Sequence, residues 1–343
     1  MIKKMIVALA GSAAVLLPGQ ASAASCDRAC MRAVGATLVA SIEAHKPAML
    51  PMAPEYAAAQ NNVPQAIPMM NIWRTVAKVK EPFFAIDVQT RQMFLVATFA
   101  EGVADSMFYG RVHLDEAGRI DEAELFIDRS RGDAGFQYGL RHGKADFPHP
   151  AWTAPTSNGK LAGRDELSAV GRTIFDQTLK SPPIAEGCVM MENGEISNED
   201  PEVLKYLMPS DVAGAKLQKN ARGNAIVPCA APPERPTDKK NRVVVVDEEQ
   251  GIVIAMAMMD GKFAPYLVEN PSTSAFVPND ILEPYEVVLR EQAKTGKFNQ
   301  PRIKNMDVTA QVTEMYRYYD GKIQAMHLLF NMEPKGATSP WVK

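Results

Sequence analysis

Apolar residues recur at helical spacing in two stretches of the chain. Val34, Leu38 and Ile42 form one stripe that stops before Pro47. Val170, Ile174 and the adjacent Phe175 form another that stops before Pro182-Pro183. Positions three or four apart share one face of a helix and proline ends it, so each stretch predicts an amphipathic helix. The other apolar runs are of strand type. Phe83–Asp87 and Met93–Phe99 flank one polar turn, and Arg242–Asp247 and Ile252–Met256 flank another that ends at Gly251. β-Branched and aromatic runs around Asp, Glu, Gln and Gly predict hairpins. Two more strands, Phe108–Leu114 and Val312–Tyr318, are each followed by a Gly-led strand, Gly118–Leu125 and Gly321–Leu328.

The two sets come in the same order. Ala33-Val34-Gly35-Ala36-Thr37 returns 136 residues later as Ala169-Val170-Gly171-Arg172-Thr173, and the polar turn Gln60-Asn61-Asn62 returns as Glu192-Asn193-Gly194. Each half therefore reads as a helix, an irregular segment and two hairpins. The expected class is α+β: a helix lying across a curved antiparallel sheet, made twice. The halves span residues 24–130 and 164–343. Gly, Pro and polar residues make 131–163 a linker or surface excursion. The second half carries an insertion around 260–310, with a helix expected over Asp280–Lys294.

The first 23 residues differ from the rest: Lys3 and Lys4, an apolar run from Met5 to Leu17, then Ala21-Ser22-Ala23. This is the pattern of a cleaved secretory signal, too short to span a bilayer, and it predicts a periplasmic or secreted protein. Cleavage removes two lysines and no acid, moving the net charge from −3 to −5. Such a chain lacks the basic surface that nucleic acid or anionic lipid requires, so neither is expected as a partner. Four cysteines remain. Outside the cytosol an even count favours disulfides, and of the three pairings we prefer Cys188–Cys229 with Cys26–Cys30. A zinc site is the alternative, but no C-x-x-C or H-x-x-x-H spacing supports it. The chain also lacks G-x-G-x-x-G, G-x-x-x-x-G-K-[ST], G-x-S-x-G and H-E-x-x-H, which lowers the odds of nucleotide, serine-hydrolase or zinc-protease chemistry.

The opening Cys26-Asp27-Arg28-Ala29-Cys30, the paired polar turns, the stretch Arg242 to Gly251 and the closing Gly336-Ala337-Thr338-Ser339-Pro340-Trp341 together resemble an exported family of unknown function. That family is similar to the NTF2-like cone fold, also called SnoaL-like or ketosteroid-isomerase-like. The resemblance implies two tandem NTF2-like cones. It also implies a site needing no metal and no organic cofactor, in which acids, bases and hydrogen-bond donors line an apolar pocket. Two departures stand out. Gln60-Asn61-Asn62 stands where the family has Glu-Asn-Gly, and His327 stands where Glu124 of the first half would be matched by a Glu. The second cone is thus the better candidate for chemistry.

In that cone we expect Glu314, Tyr316 and His327 as acid–base groups, with Glu192, Asn193 and Arg242 binding substrate. Gly321-Lys322-Ile323 sets the register of the last strand, so Ile323, Ala325 and His327 should share a face and bring His327 to Glu314 or Tyr316. Asp247 reads as a hairpin cap paired with Arg242. In the first cone the corresponding set is Tyr56, Asn61, Trp73, Arg111, His113 and Glu124, of which Trp73 reads mainly as core. His142 and His149 in the linker have no partners of metal-ligand spacing. The expected activity is that of a cofactor-independent lyase, isomerase or hydratase acting on a small, largely apolar molecule. Lignin-derived aromatics are included, since cone-fold enzymes similar to this class deformylate them. A non-catalytic protein that binds a small molecule or a partner is the competing reading, and homo-oligomerisation is left open.

Overall fold

The computed structural model describes residues 26–102, 104–129, 147–156, 159–176, 178–198, 218–219, 225–226, 229, 241–265, 274–278, 294 and 306–342. The leader, His142 and, apart from Lys294, the helix expected from Asp280 lie outside the described residues.

Helix α1 (Arg28–Glu43) starts at Asp27, whose carboxylate accepts the Cys30 N–H at 2.9 Å, and the Cys26–Cys30 disulfide closes the same turn. Strand β1 (Met52–Gln60), a two-residue strand β2 (Val63–Pro64) and the one-turn helix α2 (Ile72–Thr75) follow. Then come β3 (Lys78–Asp87), β4 (Gln92–Glu101), β5 (Ala104–Leu114) and β6 (Ile120–Arg129). After the one-turn α3 (Pro150–Thr153), the order repeats with α4 (Arg164–Thr173), β7 (Ile184–Glu192) and β8 (Glu195–Ile196). A separate pair, β9 (Gln218–Lys219) and β10 (Ala225–Ile226), precedes β11 (Arg242–Asp247), β12 (Ile252–Pro265), β13 (Ser274–Pro278), β14 (Met306–Tyr319) and β15 (Lys322–Pro334).

The first sheet runs β2-β1-β6-β5-β4-β3 and the second β8-β7-β15-β14-β12-β11, with β13 added on β12. The strand order is the same. It also corrects two expectations. The segments read as irregular contain β1 and β7, and these pair in parallel with the last strands β6 and β15, so both sheets are mixed rather than antiparallel. Each sheet is crossed by a single long helix, α1 or α4, rather than by several helices.

Three cores result. Met31, Leu38 and Ile42 of α1 pack on Met93, Leu95, Phe99 and Phe108 of the first sheet. Leu167 and Val170 of α4 pack on Val253, Val312 and Tyr316 of the second. The third core lies between the sheets and joins Phe94, Tyr109 and Phe126 to Ile254, Met315 and Leu329. The layers therefore run helix, sheet, sheet, helix, with the two sheets back to back. Phe147 and Trp152, read as part of a surface excursion, are instead fully buried in this third core. Burial of two large aromatic side chains outweighs the polar character of the residues around them.

Crossed ion pairs fasten the halves at one end. Arg28, the first residue of α1, reaches Asp247 of the second sheet at 2.7 Å. Arg164, the first residue of α4, holds Asp87 of the first sheet through two bonds of 2.8 Å. Each aspartate also accepts a backbone N–H from the opposite half: Asp247 from Ile86 at 2.7 Å, Asp87 from Val246 at 3.2 Å. Burial raises the Asp87 carboxyl, but Arg164 and Thr90 outweigh it and hold its pKa below the ordinary value.

Candidate functional site

On the helix-covered face of the second sheet, strand pairing sets out two cross-strand rows. One runs Ala255, Glu314, Leu328, Glu192; the next runs Val253, Tyr316, Met326, Met190. Glu314 and Tyr316 are almost completely buried, at 3% and 2% exposure, amid the apolar residues beneath α4. Strands lie about 4.8 Å apart, so Glu192 and Glu314, two strands apart, are separated by roughly 10 Å between backbones. The Cys188–Cys229 disulfide, with a Cα–Cα distance of 5.9 Å, sits in the same core. A carboxyl, a phenol and a second carboxyl thus share one face among Met and aliphatic side chains.

His327 is not with them. It is paired with Met315 and faces the other way, into the core between the sheets. The reason is a bulge. Tyr318 and Arg317 of β14 oppose Ile323 and Ala325 of β15, so Gln324 is an extra residue and every side chain after it changes face. Ile323 remains under α4, while Ala325 and His327 do not. Gly194 N–H donates to His327 Nε2 at 3.0 Å, and the ring lies 4.9 Å from Phe147 and 6.1 Å from Trp152. Burial drives its pKa down to about 3. The imidazole is neutral with its proton on Nδ1, which makes no hydrogen bond among the described residues.

The first half shows why that position is structural. A matching bulge, where His113 and Leu114 oppose Glu122 and Ile120, turns Glu124 to the same interface. There Glu124 accepts from Arg111 Nε at 3.1 Å and from Arg242 of the second half. Arg242 therefore pairs with Glu124 across the sheets, not with Asp247 as expected. Burial lowers the pKa of its guanidinium against the pull of Glu124.

The remaining candidates disperse. Asn61 and Asn193 take positive φ, 50° and 44°, in the tight turns after β1 and β7. Their backbone N–H groups donate to Leu125 and Leu328, and their side-chain oxygens accept from Ile127 and Phe330 at 2.9 and 3.0 Å. Both asparagines clamp a parallel strand pair. Trp73 is core, donating to Ser41 Oγ at 3.1 Å. His113 Nδ1 meets Asp121 at 2.5 Å near the surface. Tyr56 borders a groove of about 550 Å³ with Pro64 and Trp341. His149 caps α3 through the Ala151 N–H. Among the described residues no three His, Cys, Asp or Glu converge in a metal-binding group.

A second cavity, of about 440 Å³, runs along the outer edge of β11 beneath α4. Arg164, Arg172, Arg242, Asp87, Phe175 and Ala255 line it, and Ala255 is the cross-strand neighbour of Glu314. Our reading of the sequence passed over Arg172. Its only signal there is the repeated motif, in which Arg172 stands where the first copy has Ala36.

Comparison with solved structures returns matches that each cover about a third of the chain. A de novo designed protein with a curved β-sheet is 15% identical at a TM-score of 0.26, covering 30% of this chain and 88% of its own. A protein of unknown function with a cystatin-like fold from Methylobium petroleophilum PM1 is 19% identical at 0.27, covering 36% and 97%. A steroid delta-isomerase from Pseudomonas aeruginosa is 15% identical at 0.24, covering 31% and 85%. No curated protein matches the chain. Residues 161–330, from the loop before α4 into β15, match a family model described only as a domain of unknown function, DUF8021.

Proposed function

We propose that the chain is two tandem NTF2-like cones set back to back, and that the second is a cofactor-independent lyase, isomerase or hydratase for a small, largely apolar molecule. The observation that carries this reading is the pair Glu314 and Tyr316, buried two residues apart on the helix-covered face of the second sheet. A carboxylate can take a proton from a substrate, and a phenol two residues along the same strand face can return one. Glu314 is the proton acceptor, Tyr316 the donor, and Glu192 borders the substrate. The first cone is a scaffold: at the positions that match Glu314 and Tyr316 it has Gly110 and Val112, opposite Leu125 and Ala123. Export to the periplasm fits the two disulfides, which persist in oxidising compartments.

A thermal-shift screen with lignin-like aromatics, terpenoids and steroids tests the reading, since a ligand that binds only the folded state raises its melting temperature. We expect an apolar hit whose stabilisation falls in Tyr316→Phe and survives in His113→Ala. A screen without hits, or one whose hits ignore Tyr316, would favour the non-catalytic, partner-binding reading.

A further inference from the structure

We infer that the interface between the two sheets is a pH-sensitive clamp, whose end at Asp128 and Glu333 closes in acid and opens as the pH rises to neutrality. At this end the apolar core between the sheets gives way to polar groups. Tyr109 of the first sheet donates to Gln311 Oε1 of the second at 3.0 Å, and Gln311 Nε2 donates to Thr313 Oγ1 at 2.8 Å. Asn61 Nδ2 donates to the Ile127 carbonyl at 3.1 Å and to Asn331 Oδ1 at 3.3 Å, and Asn331 Nδ2 donates to Glu333 at 2.7 Å. Hydrogen bonds thus cross from the residue beside Asp128 to Glu333. Asp128 is 4% exposed, and its Oδ2 makes no hydrogen bond among the described residues.

The neighbouring charges are engaged elsewhere. On β5, Arg111 holds Glu122 and Glu124, and Asp105 pairs with Lys80 of β3. On the second sheet, Lys335 and Lys262 both reach Asp307 of β14, and Asp260 of β12 accepts from Thr309. Asn61 and Asn62, in the turn after β1, carry no charge. Burial therefore meets no cation. It lifts Asp128 well above the ordinary carboxylate range, and it lifts Glu333 to about 7 against hydrogen bonds from Asn331 and Asn62. Both acids are protonated while buried, and ionisation draws water to them. The opposite end differs: Arg164 holds Asp87 below its ordinary value and Arg28 pairs with Asp247, so these bridges are charged at neutral pH. From Gln92, beside Asp87, to Thr98, in the row of Met107 and Asp128, is roughly 20 Å along β4. The crossed ion pairs are thus the hinge of the clamp.

An acid whose pKa is raised by closure opposes closure once the pH passes its ordinary value. For Glu333 the closed form loses about tenfold against the open form for each pH unit between about 4.5 and 7. The test is hydrogen peroxide oxidation of the whole chain at pH 5 and pH 7, read residue by residue by mass spectrometry. A buried methionine is oxidised only when its part of the interface opens. Met107, paired with Asp128, and Met258, against Asn62, report on the clamp, and Met315, beside His327, reports on the apolar part. Oxidation of Met107 and Met258 should rise at least about tenfold from pH 5 to pH 7, with no rise at Met315. Asp128→Asn and Glu333→Gln should each shrink the rise, and the double variant should abolish it. Glu333 is only half-buried, so Glu333→Gln keeps the test decisive if Asp128→Asn fails to fold. Equal rates at the two pH values, an equal rise at Met315, or a rise that Glu333→Gln leaves unchanged overturns the inference.

Discussion

At the scale of single residues, His327 shows how one inserted position redirects a side chain. Its place in the chain was legible, as the counterpart of Glu124, but its direction was not. Alternation says which residues share a face only while the register is unbroken, and the bulge at Gln324 breaks it. The same strand faces apolar material on both sides, so hydrophobicity gave no second cue. Its ionisation follows from the packing. With a folded-state pKa of about 3 against an ordinary 6.5, the unfolded chain takes up this proton first as pH falls. The stability that His327 confers is therefore complete above pH 6.5 and drains away between about 6.5 and 3. Glutamine at this position can still accept the Gly194 N–H but does not titrate. In urea unfolding, the stability gap between wild type and His327→Gln should shift against wild type by about 1 kcal/mol per pH unit on going from pH 6.5 to 5. A gap constant with pH would mean that His327 is not held neutral.

At the scale of elements, the repeated Ala-Val-Gly-x-Thr motif was the clearest sign that the two halves share an order of elements, and its glycine now has a reason. A Cβ on Gly35 would lie 2.7 Å from Phe84 Cε1, and one on Gly171 would lie 2.5 Å from Val253 Cγ2. Each helix approaches its sheet through this residue. Alanine normally favours a helix by about 1 kcal/mol over glycine, yet Gly35→Ala and Gly171→Ala should each destabilise, by roughly 1–3 kcal/mol in thermal or chemical unfolding. Stabilisation by either would show that the contact relaxes without cost. The polar turns were legible as turns, whereas the strand clamps that Asn61 and Asn193 form were not. A short polar side chain that tolerates positive φ serves a strand clamp as well as a ligand, and the sequence does not say which. Loss of the clamp in Asn193→Ala should cost about 2 kcal/mol, since it leaves the Phe330 N–H without its acceptor. The parallel pairings of β1 with β6 and of β7 with β15 left no trace of their own, because a strand joined to a distant partner has no local turn to announce it.

At the scale of the whole molecule, two halves were legible, while their back-to-back packing had a signal that our reading of the sequence did not use. Val243–Val246 and Ile252–Met259 are continuous apolar runs rather than alternating ones, the pattern of strands covered on both faces. The crossed pairs Arg28–Asp247 and Arg164–Asp87 then fix one half against the other. Because Asp247 is wholly buried, Asp247→Asn should cost about 3 kcal/mol or more and loosen both halves in hydrogen exchange, whereas loss confined to the second half would show that they are held independently. This arrangement assigns the inner faces, with Glu124, Arg242 and His327, to holding the sheets together, and the proposed chemistry lies on the face under α4. The most direct test sets Glu314→Gln beside His327→Gln on the substrate that the ligand screen identifies, measuring turnover and melting temperature for both at pH 7. The account predicts that Glu314→Gln loses about 10²–10⁴-fold in rate while melting within a few degrees of wild type, and that His327→Gln turns over at the wild-type rate. Full activity in Glu314→Gln together with its loss in His327→Gln would contradict it.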